Sequence, residues 1–199
     1  MSAAARREVI EQAATELFAE RGYHGASVDE IASRSGVSAP VVYDHFESKQ
    51  ALHTRLLERH RDQLLEVWRE HLLASDPPEE RIPRALDAWA RYVEGHPFAW
   101  MMLFRETTGE PEVQAEHRRV QAEARASLAP LLAAQPGADR VAVDPQALEM
   151  AVELIRSGLT GLALWWHEHR DVPREQIVAT AMNVLWIGFE RLGRGERWG

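Results

Sequence analysis

Between Ser35 and Lys49 the chain reads SGVSAPVVYDHFESK. Gly36 stands where a helix ends, and Ser38 and Ser48 stand where helices begin, so the stretch is a short helix between two capping serines. At about 100° per residue, Val42 and Phe46 share one face and seat that helix on a core. Pro40, Tyr43 and Asp44 point the other way, and Val41 and His45 sit on a flank. The frame is that of a helix that enters DNA. The filling, Ala39, Pro40, Val41 and Val42 followed by Asp44, is apolar and acidic for such a task.

Working outward, Ser27-Val28-Asp29-Glu30 forms a capping box that opens a helix with Ile31 and Ala32 inside it. Upstream, Val9, Ile10, Ala13, Ala14, Leu17 and Phe18 make one apolar face of a first helix that stops at Gly22. Helix, capped short helix, glycine turn and second capped short helix is the helix-turn-helix arrangement. Downstream, Leu52, Leu56, Leu64, Trp68 and Leu72 mark a long helix from Ser48 to about Leu73, roughly 37 Å at ~1.5 Å per residue. The segment SDPPEERIP breaks the chain before a stripe of Ile82, Leu86, Trp89 and Val93. Further helices are expected from Pro97, over Val113–Leu132, Pro145–His169 and Pro173–Leu192, with AQPGADRVAVDP, residues 134–145, as the longest irregular stretch. Strand alternation is absent. The expectation is an all-α chain of about nine helices: a three-helix DNA-binding domain with a helix-turn-helix over residues 1–50, and a helical effector-binding and dimerisation domain over residues 51–199.

The order and spacing of Ser27, Ile31, Ala32, Gly36, Val37, Ser38, Tyr43, His45, Phe46, Ser48, Lys49 and Leu52 resemble the N-terminal domain of TetR-family bacterial transcription regulators. The match covers about a quarter of the chain, and the rest is similar to that family in architecture alone. The resemblance implies that Ser38, Tyr43, His45 and Lys49 contact DNA phosphates. Two hydroxyls, an imidazole and an ammonium suit that work, beside the free N–H groups of helix starts. The plainer readings are that Ser38 only caps, Tyr43 packs on the first helix and His45 bonds internally. The family's base-facing positions fall on Ala39, Pro40, Val41 and sometimes Asp44, where many relatives carry a longer polar side chain first and a glycine second. Methyl contacts to thymine suit Ala39 and Val41, and Asp44 can accept from a cytosine amino group. No Arg or Asn stands there for a bidentate purine contact. Ser27, Arg34 and an N-terminal arm with Arg6 and Arg7 are candidates for further contacts, the arm reading equally well as a solvated, frayed terminus.

Bulk properties narrow the field. The net charge is −8, and neither residues 1–60, with 7 basic against 9 acidic groups, nor the remainder forms a basic domain. DNA contact must come from a few placed groups. Lys49 is the only lysine; the other 22 basic residues are arginines. No cysteine is present, which excludes thiolate metal sites and a cysteine nucleophile. The longest uncharged run, Gln176 to Phe189, is 14 residues, short of the ~18 of a membrane span. With no secretory h-region at the N-terminus, a cytoplasmic protein without membrane partner is expected. HRD occurs at His60–Asp62 and His169–Asp171 without a phosphate loop, and HEH at His167–His169 lacks the i, i+4 spacing of a zinc helix. No enzyme, metal or cofactor is expected.

The C-terminal part holds two further signals. Trp89, Tyr92, Trp100, Met101 and Phe104 cluster in sequence, with Trp166 on a later helix, and such residues line apolar pockets as readily as they fill cores. With Arg105, Glu106 or His167 to orient a polar end, they are the candidate site for a hydrophobic or aromatic small-molecule effector. The last two helices are apolar on two faces, so that either both faces are internal core or the second is covered by a partner. Ile155, Gly158, Leu159, Leu162, Ile177, Ala181, Val184 and Gly188 are the candidate interface of a homodimer with four helices at its seam. A second row, Leu154, Gly158, Gly161 and Trp165, has the same spacing. The resulting expectation is a dimeric repressor released from a palindromic operator by its effector. The alternatives are a DNA-binding dimer without small-molecule ligand and a helical interaction module.

Overall fold

The computed structural model describes residues 2–104, 111–133 and 145–193. Arg105, Glu106 and residues 134–144 of the expected irregular stretch lie outside the described residues. Nine helices and no strand occur among those described: α1 Ala3–Gly25, α2 Val28–Ser35, α3 Ala39–His45, α4 Lys49–Leu72, α5 Pro78–Gly95, α6 Pro97–Phe104, α7 Pro111–Ala133, α8 Pro145–Glu168 and α9 Arg174–Gly193.

Local chemistry sets the helix ends. Ser2 caps α1 through the N–H of Ala5 at 3.2 Å, so the segment expected as an arm is helical from Ala3. Gly22 breaks α1 with φ 72° and ψ 175°, a backbone state open to glycine, and a short turn follows to Gly25. The capping box on α2 is complete: Ser27 Oγ accepts from the Glu30 N–H, and the Glu30 carboxylate accepts from the Ser27 N–H. Gly36, at φ 69°, closes α2. Ser38 holds the N-cap position of α3 but makes no side-chain capping bond, whereas Ser48 Oγ accepts from the Ala51 N–H at 3.0 Å. Pro83 lies inside α5, which starts at Pro78 rather than after the proline-rich break. So near a helix start, the missing N–H forfeits only one early hydrogen bond.

Two compact units divide the chain: residues 1–62 with 97–121, and residues 63–96 with 122–199. In the first, Ile10, Ala14, Leu17 and Phe18 of α1 pack with Ile31, Ala32, Val42, Phe46, Leu52, Leu56 and Leu57. Met102, Leu103, Val113 and Val120 join the same core. Val9, expected on the buried face of α1, is 39% exposed. An ion cluster clamps α1 to α4. The Glu11 side chain, 3% exposed, accepts from Arg55 at 2.8 Å, from Arg59, and from Arg7 at 3.2 Å. Burial pushes its carboxyl up, but the hydrogen bonds and charges of Arg55 and Arg59 outweigh that and hold it below the usual range. In the second unit α9 packs on α5 and α8, and Arg174 reaches Asp87 and Glu94 of α5, each at 3.0 Å. Trp166 Nε1 donates to the Val172 carbonyl at 2.8 Å and pins the turn between α8 and α9.

His53 of α4 lies edge-on to Phe18 and Tyr23, with centroids 4.9 and 5.1 Å away. Burial, helped by the charges of His117 and Lys49, lowers its pKa to about 4. The unfolded imidazole takes its proton near pH 6.5, the folded one only near 4. Stability from this group is therefore full above pH 6.5 and falls as pH drops toward 4, by up to about 3 kcal/mol. Urea unfolding between pH 7.5 and 5 is expected to show this loss in the wild type and a shallower one in His53→Gln. Equal pH slopes in the two proteins would exclude it.

Candidate nucleic-acid interface

The site is built on a helix of seven residues. Such a helix is not stable alone, so packing fixes its rotation. Val42 and Phe46 are 2% and 6% exposed and face the core of the first unit. Pro40, Tyr43 and Asp44 are consequently on the solvent side, with Tyr43 54% exposed. Val41 and His45 are half-buried on the flank, as the spacing predicts. Ala39 is also half-buried and packs against the core, which limits its methyl as a base contact.

The polar groups separate into engaged and available ones. Ser27 Oγ is held by Glu30 in both directions, at 3.2 Å from its N–H and 2.9 Å from its carboxylate. Arg21 also bonds that carboxylate. Arg34 lies on Glu20 through both terminal nitrogens, at 3.1 and 3.0 Å. Its expected DNA contact therefore competes with an intramolecular pair. Arg7 is engaged by Glu11 and lies 5.0 Å over the Phe46 ring. Ser38, by contrast, is exposed and its hydroxyl is not drawn into a capping bond. Tyr43 is 54% exposed. Lys49 is half-buried, and its ammonium donates to the Tyr23 and Ala26 carbonyls at 3.0 and 3.1 Å. The exposed rim also holds Asp44 and Glu47, so the face combines hydroxyls with carboxylates and has a weak field of its own.

The effector candidates fall into both units. Trp89, Tyr92 and Trp166 lie in the second, at 1, 8 and 2% exposure. Trp100, Met101 and Phe104 lie in the first, with Trp100 and Phe104 rings 4.2 Å apart. In the first unit an open groove of about 370 Å³ is lined by Glu8, Val9, Gln12, Ala13, Glu16 and Arg34.

The interface candidates divide by exposure. Leu159, Ile177 and Ala181 are at most 6% exposed and belong to the protomer's own core. Ile155 and Leu162 are half-buried. Gly158 is exposed with open space over its Cα, and Val184 is 72% exposed. Gly188 falls within α9, but its surroundings lie outside the described residues. The solvent-facing row of α8 is Met150 and Leu154, 63% and 74% exposed, then Gly158, Gly161 and Trp165, 45% exposed. Of these, Met150 carried no signal in the sequence beyond lying four residues before Leu154. No group of three metal-ligating side chains occurs among the described residues.

Two family models match the chain. Residues 10–56 match the family model of bacterial regulatory proteins, tetR family, and residues 78–188 match that of the tetracyclin repressor-like C-terminal domain. The HTH-type transcriptional activator FasR of Mycolicibacterium smegmatis is 29% identical over 188 residues, 94% of this chain and 84% of that one. An HTH-type transcriptional repressor of Mycobacterium tuberculosis is 42% identical over 82 residues, 41% of each. The transcriptional regulator FadR of Bacillus subtilis, solved in complex with stearoyl-CoA, superposes with a TM-score of 0.73 at 19% identity, over 96% of this chain and 99% of that one.

Two substitutions test the exposed face of α3. Tyr43→Phe removes a hydroxyl donor and is expected to weaken duplex DNA binding several-fold. Asp44→Asn removes a charge that repels phosphate and is expected to strengthen binding to random-sequence duplex. Fluorescence anisotropy at fixed salt reads both, and unchanged or weaker binding by Asp44→Asn would exclude that repulsion.

Proposed function

The chain belongs to the tetR family of bacterial regulatory proteins and is a DNA-binding transcription regulator, and we propose that it works as a homodimeric repressor whose operator is released by a hydrophobic small molecule. The observation that carries the DNA part of this reading is the rotation of α3: Val42 and Phe46 are buried, and Tyr43, Pro40 and Asp44 are turned outward. Residues 1–50 supply the DNA contacts in this reading, and residues 51–199 the effector and dimer functions. Ser38, Tyr43 and His45 meet phosphates; Ala39, Pro40, Val41 and Asp44 face bases; Ser27 supports the start of α2. Lys49 enters by the route argued in the next subsection.

A second copy is proposed to cover the Leu154, Gly158, Gly161 and Trp165 row of α8 together with Val184 of α9. The two glycines permit close helix approach, and the exposed side chains are too large and apolar to be a stable surface by themselves. Two recognition helices then read half-sites one helical turn, ~34–36 Å, or a multiple apart. Trp89, Tyr92 and Trp166, with Trp100, Met101, Phe104 and Arg105, are the proposed effector residues. Stearoyl-CoA in the FadR fold neighbour illustrates an effector with a long apolar chain, the chemistry that an aromatic-rich lining accepts. A coupling of ~1–3 kcal/mol between effector and operator would weaken DNA binding about 5- to 150-fold. The activator FasR, aligned over nearly the whole chain, favours a second reading in which the DNA-bound dimer activates.

Three measurements test these assignments. Selection from a genomic fragment pool is expected to return a palindromic site, and Val41→Ala to alter preference at one base pair of each half-site; uniform loss across sequences makes Val41 structural. Leu154→Glu is expected to convert the dimer to monomer in light scattering with its helical content retained; an unchanged dimer moves the interface elsewhere. Tryptophan fluorescence with a panel of apolar ligands, acyl-CoAs included, is expected to respond to at least one of them. A flat response throughout favours the ligand-free regulator.

A further inference from the structure

Lys49 sits at the first position of α4, the positive end of that helix's dipole, where a cation is disfavoured. Its ammonium does not project from that end. It turns back to the broken end of α1, where it donates to Tyr23 O at 3.0 Å and Ala26 O at 3.1 Å and lies 4.2 Å from the Tyr23 ring centroid. Both acceptors belong to buried residues, Tyr23 at 8% and Ala26 at 2% exposure. The break at Gly22 takes this turn out of the regular helical ladder, so its carbonyls need donors from elsewhere. A charged donor at a helix C-terminus is the favourable case, and the ring face adds a cation–π contact.

Ala26 immediately precedes the N-cap of α2, and Lys49 opens α4. The bond between them therefore ties together the two ends of the whole helix-turn-helix, residues 27–48. One ammonium thus bonds across the base of the motif that carries α3, beside the core contacts of Tyr23, Ala26 and Leu52. We infer that Lys49 is a positioning residue for DNA binding, which staples the entry of the helix-turn-helix to its exit, and that its charge serves those two carbonyls rather than a DNA phosphate. This rests on the DNA-binding reading above.

As the only lysine in the chain, Lys49 gives a single side-chain ammonium resonance in protein grown on ¹⁵N-lysine. In the free wild type that resonance is expected to be protected from exchange, shifted upfield by the Tyr23 ring, and moved downfield by Tyr23→Leu. Random-sequence duplex DNA, added at low salt until the Tyr43 backbone signal shifts, is expected to leave it in place. Lys49→Met keeps the stem over Tyr23 and removes the donors. It is expected to weaken binding to the same duplex about tenfold, with unchanged helical content at the assay temperature and an unchanged slope of log K against log salt.

A slope flatter by about 0.9, or an ammonium resonance that moves on DNA addition, assigns Lys49 to a phosphate and overturns the inference. So does wild-type affinity in Lys49→Met, or a freely exchanging ammonium in the free protein. If the wild type itself fails to bind duplex DNA at low salt, the DNA reading falls and the positioning role falls with it. That outcome is distinct from binding in which only the slope has changed.

Discussion

Burying Val42 and Phe46 is the constraint on which the exposed face of α3 depends. A seven-residue helix has too few hydrogen bonds to hold itself, so its rotation is set by which side chains enter the core. Once these two are inside, Tyr43, Pro40 and Asp44 must be outside, and Val41 and His45 must lie at the edge. The core that receives them draws on α1, α2 and α4, and it extends to Met102, Leu103, Val113 and Val120 of α6 and α7. The exposed face of α3 is thus held by residues far along the chain, and the compact unit containing it is larger than a three-helix motif.

Charge is arranged to serve this packing before it serves DNA. Glu11 gathers Arg7, Arg55 and Arg59 between α1 and α4; Glu20 holds Arg34; Glu30 holds Arg21 and Ser27. Exposed pairs of this kind contribute little each, but Glu11 is buried, and removing it would leave three guanidinium groups around an apolar seam. The result is a DNA-binding unit whose arginines largely face its own carboxylates. Hydroxyls and helix N-termini remain for the phosphates, which fits a chain of net charge −8. Non-specific affinity should then be modest.

Much of this was legible in the sequence. The capping box at Ser27, the glycine turn at Gly36, the break at Gly22 and the faces of α3 all follow from rules that act within a few residues. The roles of individual polar groups were less legible. Ser38 and Ser48 look alike in sequence, yet only Ser48 makes a side-chain capping bond. Arg34 and Lys49 look like DNA contacts, yet each has a partner 14 to 26 residues away. Nothing local marks such pairs, because they exist only once α1, α2 and α4 have packed.

The last two helices show the same boundary. Spacing alone revealed two apolar rows on α8, because a 3.6-residue period is written along the chain. It did not reveal which row the protomer covers for itself. Packing of α9 on α5 and α8 buries Leu159, Trp166, Ile177 and Ala181 and leaves Leu154, Trp165 and Val184 in water. By itself, then, the sequence determined the helices, their ends and the helix-turn-helix, since caps, glycines and periodicity act over one or two turns. Only the tertiary structure decided which apolar row stays exposed and where the lone ammonium goes, since both depend on neighbours that are distant in the chain.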